Sequence, residues 1–265
     1  MTCVAYGSFD GIHRGHLKVA ELLAKTGKER QLKSILVNIF DETDYLTDEK
    51  EKAYLLKETG VDEILTLKEK ISIEKLVEDL KIKVLVCGEN AAKAAEIEEA
   101  VQKYNVELVI CPDETENGKL ITNNEVREAF GNGDFPRLTK LCGHPYTMIG
   151  KVEHGKGLGR KAGMPTANLE VLKGKQKPPS GVYATRGLVD GKYYRAVTNI
   201  GRRPSVDNEK RITIETYFLD LNQDLYEKEI IVEILGFIRE TKKFDNLEQV
   251  YAQIQKDIEV AYSIF

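Results

Sequence analysis

Two pairs of side chains have the types and spacing to act on phosphate esters. His13 and His16, in Gly7-Ser-Phe-Asp-Gly-Ile-His-Arg-Gly-His16, stand three residues apart, so both project from one side of an opening helical turn. The free N–H groups and dipole of such a turn favour phosphate. Gly7, Gly11 and Gly15 permit a tight turn and the close approach of a nucleotide. The second pair is Thr166 and Asn168, within Gly163-Met-Pro-Thr-Ala-Asn-Leu169. In an extended segment, stiffened here by Pro165, positions i and i+2 face the same way. Two neutral oxygen ligands on one face suit Mg²⁺, which keeps water and phosphate oxygens for its remaining positions.

Two further features complete that second group. Gly150-Lys-Val-Glu-His-Gly-Lys-Gly-Leu-Gly-Arg160 reads as a strand entering a glycine-rich loop. Gly155, Gly157 and Gly159 let backbone N–H groups approach an anion, which Lys156 or Arg160 neutralises. Glu215 interrupts the apolar run Ile212–Phe218, where burial would raise its pKa and suit it to act as a general base. A metal, an anion cradle and a base that orients a hydroxyl are what phosphoryl transfer requires.

The elements that carry these groups change character along the chain. Up to about residue 142, short apolar runs (Cys3–Tyr6, Ser34–Phe40, Glu63–Leu67, Lys83–Cys87, Val106–Cys111) alternate with helix-period segments (Leu17–Lys25, Asp48–Thr59, Ile73–Leu80, Ala91–Tyr104). That alternation predicts a doubly wound parallel sheet. Two more helical pieces follow, Glu125–Phe130 and Phe135–Leu141. After Gly143-His144-Pro145 the chain turns β-rich, with runs at Tyr146–Glu153, Val182–Val189, Tyr193–Ile200, Ile212–Leu219 and Lys228–Arg239. Their spacing predicts a small antiparallel barrel, closed by an amphipathic helix at about Asn246–Ala261. The expected fold class is therefore α/β plus β, with domains at residues 1–143 and 144–265.

Bulk properties narrow the function classes. The 265 residues carry a formal charge of −4, with Lys and Arg interspersed among Glu and Asp. No clustered basic footprint points to nucleic acid. Cys3, Cys87, Cys111 and Cys142 lie too far apart for a zinc motif and read as free thiols of a reducing cytoplasm. No apolar run has the length of a membrane span. The oligomeric state is left open.

The C-terminal motifs resemble the riboflavin kinase family. The resemblance rests on Gly150-x-Val-x-x-Gly-x-Gly-x-Gly-Arg-x-x-Gly-x-Pro-Thr-Ala-Asn-Leu169, with Ser180-Gly-Val-Tyr183, Asn199-Ile-Gly-x-Arg-Pro204, Glu215-Thr-Tyr-Phe218 and Ile238-Arg-x-x-x-Lys-Phe244. It implies that Thr166 and Asn168 hold Mg²⁺ and the phosphates of ATP. Glu215 would take the proton from the ribityl 5′-hydroxyl of riboflavin, with Arg239, Lys243 and Phe244 bordering the flavin.

The N-terminal Gly-x-Phe-Asp-x-x-His-x-Gly-His motif is similar to that of nucleotidyltransferases. Preceding a riboflavin kinase, it resembles the FMN adenylyltransferase half of the prokaryotic bifunctional FAD synthetase family. That implies formation of FMN and then FAD, with His13 and His16 stabilising phosphate charge and pyrophosphate released. Gly7, Phe9, Asp10, Gly15, Thr122 and Arg127 would contact ATP. The chain departs from the family at three places. Ile-Ser-Ser-Thr-x-Ile-Arg becomes Ile121-Thr-Asn-Asn-Glu-Val-Arg127, which puts Glu125 near the expected phosphates. Phe40-Asp-Glu-Thr-Asp44 stands where Pro-His-Pro is usual, and a helical Asn90–Ala95 replaces the flavin loop. Two other readings follow from these departures: riboflavin kinase alone with a degenerate N-terminal module, or a non-catalytic flavin- or nucleotide-binding regulator.

Overall fold

A computed structural model describes residues 1–154, 165–170, 172–203, 211–221 and 223–265. The chain divides into two compact units. Met1–Arg127 with Leu141–Gly143 forms the first, and Glu128–Lys140 with His144–Phe265 the second.

The first unit is a five-stranded parallel sheet in the order β3-β2-β1-β4-β5. Its strands are β1 (Thr2–Gly7), β2 (Lys33–Ile39), β3 (Glu63–Leu67), β4 (Ile82–Gly88) and β5 (Glu107–Cys111). The helices between them are α1 (Arg14–Arg30), α2 (Glu49–Leu56), α3 (Ile73–Leu80), α4 (Glu89–Ala92) and α5 (Ala95–Tyr104). Alternate residues of β1 supply two cores, as the period of a strand requires. Cys3 and Ala5 pack with Ala20 and Leu23 of α1, whereas Val4 packs with Leu76, Val77 and Ile97 of α3 and α5. The chain winds outward from β1 through β2 to β3, then crosses back to β4 on the other side of β1. The winding reverses there, so a crevice opens at the C-terminal ends of β1 and β4, where ligands of such sheets bind.

The helix expected over Ala91–Tyr104 is broken at Lys93 and Ala94 into α4 and α5. A small hairpin, β6 (Thr115–Glu116) and β7 (Lys119–Leu120), follows β5. Its turn places Asn117 and Gly118 at φ of 52° and 78°, a left-handed pair that suits Asn-Gly. Helices α6 (Asn123–Gly131) and α7 (Phe135–Cys142) come next.

The second unit is a closed six-stranded barrel in the order β10-β11-β12-β9-β8-β13. Its strands are β8 (Tyr146–Glu153), β9 (Thr166–Leu169), β10 (Gly181–Val189), β11 (Lys192–Arg203), β12 (Arg211–Phe218) and β13 (Glu229–Arg239). A side chain at Gly150 would place its Cβ 2.1 Å from the Glu170 carbonyl oxygen, so only glycine lets the chain pass there. A buried ladder of hydroxyls runs from Thr185 to Thr198 at 2.8 Å and on to Thr216 at 2.9 Å. It satisfies polar groups that would otherwise be stranded in the core. Helix α8 (Leu247–Tyr262) sets Ile258 and Ala261 against Val182, Ala184 and Val197. Asn246 caps it by accepting the Gln249 N–H at 2.9 Å.

Candidate active sites

The loop after β1 is held from below by three side chains. The Phe9 N–H donates to Asn38 Oδ1 at 3.0 Å and the Gly11 N–H to Thr47 Oγ1 at 3.0 Å. Asp10 accepts from the Leu46 and Thr47 N–H groups at 2.9 and 3.0 Å. The chain then enters α1, where His13 is the N-cap and its Nδ1 accepts the His16 N–H at 3.3 Å. The two imidazoles stack, with centroids 3.7 Å apart and planes 19° off parallel, and Phe9 tilts against His16 at 5.0 Å. A Cβ on Gly15 would lie 3.0 Å from His13 Cε1, so glycine at 15 leaves the capping ring room that a side chain would narrow.

Both rings face a cavity of about 390 Å³ at the predicted crevice. Gly7, Phe9, Gly15 and Thr122 line it together with His13 and His16. Burial pulls the His13 pKa down to about 4, with Asn123 opposing in part. Burial also pushes that of His16 well below its ordinary value, helped by His13 and by the Lys52 ammonium. The pair is therefore neutral near pH 7 and offers the cavity hydrogen bonds rather than charge.

Asp10 and Arg127 are not in the cavity wall. Their side chains pair at 2.7 Å, and Arg127 also reaches Asp44 at 3.0 Å. Thr122 caps α6, its Oγ1 accepting the Glu125 N–H at 3.3 Å. Glu125, expected to oppose phosphates, is bound instead by Lys119 at 2.5 Å and does not line the cavity. Two residues named as departures from the family, Asn123 and Asn90, line it together with Asp113 and Glu114, which the sequence reading did not single out. Asn123 donates to the Ser8 carbonyl at 3.3 Å, Asn90 donates to Asp113 at 2.6 Å, and Glu114 holds Lys18 and Arg14 at 2.7 and 2.9 Å. The helical Asn90 segment was legible, but its place in the wall depends on where β4 ends.

In the barrel, β9 alternates half-buried Thr166 and Asn168 with buried Ala167 and Leu169, so the two polar groups share one face. Asn168 lies directly opposite Glu215 on β12, and Glu215 lies opposite Asn199 on β11. On its other side Asn168 faces Glu153 of β8. Directly opposed residues present their side chains on the same surface about 5 Å apart. A row Glu153–Asn168–Glu215–Asn199 therefore crosses four strands, with Thr166 beside it. Glu215 is half-buried, as Thr166 and Asn168 are. The outer face of β12 carries it, while Ile214 and Thr216 point inward.

Gly155, Gly157, Gly159 and Arg160 lie outside the described residues. Arg239, expected beside the flavin, forms a bidentate pair with Asp257 of α8, both contacts at 2.7 Å. It donates also to the Glu240 carbonyl at 2.8 Å. Phe244 stands 6.0 Å from the Arg239 guanidinium, and Lys243 is exposed. Among the described residues no group of three or more His, Cys, Asp and Glu could hold a metal ion, and no helix is long and apolar enough to cross a membrane.

A histidine pair over a crevice in a wound sheet, joined in one chain to a barrel with an Asn–Glu row, defines a two-domain class of phosphate-handling transferase. Comparison with known proteins finds two family models, one over each half of the chain. The FAD synthetase family model matches residues 1–124, and the riboflavin kinase model residues 142–265. The bifunctional riboflavin kinase/FMN adenylyltransferase of Escherichia coli (strain K12) is 32% identical over 288 residues, spanning 98% of this chain and 91% of that protein. Its counterpart in Bacillus subtilis (strain 168) is 29% identical over 290 residues, spanning 99% and 92%. A crystal structure described as a macrolide-efflux protein from Streptococcus pneumoniae superposes with a TM-score of 0.82 at 26% identity, covering 98% of this chain and 94% of that one. This chain belongs to the bifunctional riboflavin kinase/FMN adenylyltransferase family, as the motifs implied.

Proposed function

We propose that the chain phosphorylates riboflavin to FMN at the barrel row, and adenylylates FMN to FAD at the crevice of the first unit. The observation that carries the first step is the register of Asn168 opposite Glu215. It sets neutral oxygen ligands and a carboxylate side by side on one face. Thr166 and Asn168 supply hard oxygen donors that fit Mg²⁺, which when bound would neutralise phosphate charge. Glu215 accepts the proton of the ribityl 5′-hydroxyl as that oxygen bonds to the γ-phosphorus of ATP and ADP leaves. The loop of Gly155, Gly157, Gly159 and Arg160 would cradle the phosphates. Lys243 and Phe244 would border the flavin, with Arg239 anchoring α8 beside them.

At the crevice, a phosphate oxygen of FMN attacks the α-phosphorus of ATP and the bond to pyrophosphate breaks. His13 and His16 donate hydrogen bonds to the charge that develops. Gly7, Phe9, Gly15 and Thr122 border the nucleotide, while Asp10 and Arg127 support it by fixing the loop. The four cysteines are free and buried, which supports a reducing, cytoplasmic setting. Incubation with riboflavin and ATP-Mg, followed by chromatographic resolution of the flavins, tests the reading. Both FMN and FAD are expected. FMN alone would reduce the protein to a kinase, and neither product would overturn the proposal.

A further inference from the structure

The chain enters α1 through a turn that a side chain should resist. Gly11 and Ile12 stand at φ of 72° and 41°, two consecutive residues in the left-handed region. Glycine takes that conformation freely, whereas the Cβ of isoleucine crowds its own backbone there. Such strain persists only where the surroundings over-determine it, and it gathers at functional sites. His13 follows directly, caps α1 and lines the cavity.

Three contacts hold the turn. The Gly11 N–H donates to Thr47 Oγ1 at 3.0 Å, and the Gly11 carbonyl accepts the Cys142 thiol at 3.4 Å. The Ile12 side chain is wholly buried, in the core that also holds Phe9, Ala20 and Leu23. Both polar groups of Gly11 are thus gripped by side chains, one 36 and the other 131 residues away in the chain. Cys142 lies in Leu141–Gly143, the short stretch by which the chain returns to the first unit. The thiol is itself wholly buried, and burial pushes its pKa up to about 12, so it keeps the proton it donates.

We propose that Cys142 and Thr47 are positioning residues for adenylyl transfer: thiol and hydroxyl grip the two polar groups of Gly11 and hold the strained turn through Ile12 that presents His13 to the cavity. The inference rests on the crevice being the site of that transfer. Without either grip the turn is free to relax, and the His13 ring loses its fixed approach to a phosphate. A misplaced catalytic group slows the reaction more than it weakens binding.

The test measures FAD formation from FMN and ATP-Mg by wild type, C142A and C142S, with circular dichroism as the check of folding. C142A is expected to lose about tenfold in kcat, while KM for ATP and FMN stays within about twofold. C142S keeps a donor toward Gly11 and is expected to recover most of that loss. A thiol that only filled space would give the opposite order, because burying a hydroxyl costs more than burying a methyl. Thr47→Val against Thr47→Ser repeats the comparison at the other polar group of Gly11, and it decides if C142A does not fold. Wild-type kcat in a folded C142A, or a serine variant no faster than its apolar counterpart at either position, would overturn the inference while wild type still makes FAD. A wild type that makes no FAD would remove the functional reading and this inference with it.

Discussion

The Arg127 guanidinium closes on the Asp10 carboxylate at 2.7 Å, so two residues that the motifs offer to a nucleotide bind each other. Asp10 also gathers the N–H groups of Leu46 and Thr47. One carboxylate thus ties the loop after β1 to the segment before α2 and to the far end of the first unit. Truncation to alanine strands two backbone donors and leaves Arg127 with Asp44 in place of two carboxylate partners. Asp10→Ala is expected to cost about 2–4 kcal/mol of stability. Urea unfolding of the first unit, followed through its helical circular dichroism, checks this, and FAD formation should fall with it.

Acid should weaken the first unit through His13. Its folded pKa is lowered to about 4 from an ordinary 6.5, so between those values the unfolded chain binds more protons than the folded one. Stability is fully present above about pH 6.5 and is lost as pH falls toward 4, by on the order of 3 kcal/mol. Unfolding midpoints at pH 5 and pH 7.5 should differ in that direction, and His13→Gln should reduce the difference.

A side chain at Gly15 is expected to displace His13. The added Cβ of Gly15→Ala would meet the His13 ring at 3.0 and 3.1 Å and push it off His16. FAD formation should drop about tenfold or more, since misplacing a catalytic group by a fraction of an ångström is costly. Riboflavin phosphorylation in the same preparation should hold. Parallel kinetics of the two reactions read this out.

The sheet and the barrel were legible because strands and helices leave distinct periods in the sequence, and the motifs marked which loops carry chemistry. Side-chain partnerships were not legible. Nothing in the local sequence says that Arg127 belongs to Asp10, 117 residues earlier, or that Glu125 of α6 is neutralised by Lys119 of β7, a strand too short to show a period. Strand β9 has four residues, the shortest run that alternation can mark. Only its register against β12 turns the Thr-Ala-Asn spacing into a row with Glu215. Arg239 read as a flavin contact because of its place in a motif, while its partner Asp257 lies 18 residues further on, in α8.

The central claim is that one chain holds two separable transfer sites, one of them built on Glu215. The most direct measurement gives Glu215→Gln either riboflavin or FMN, each with ATP-Mg, and resolves the flavins formed. Glu215 lies half-buried on the barrel's outer face, outside the core, and Gln keeps its shape, so the variant should fold. Phosphorylation of riboflavin should fall about 100-fold or more, while FAD appears from FMN at the wild-type rate. Undiminished phosphorylation, or loss of both reactions in a folded variant, would contradict the account.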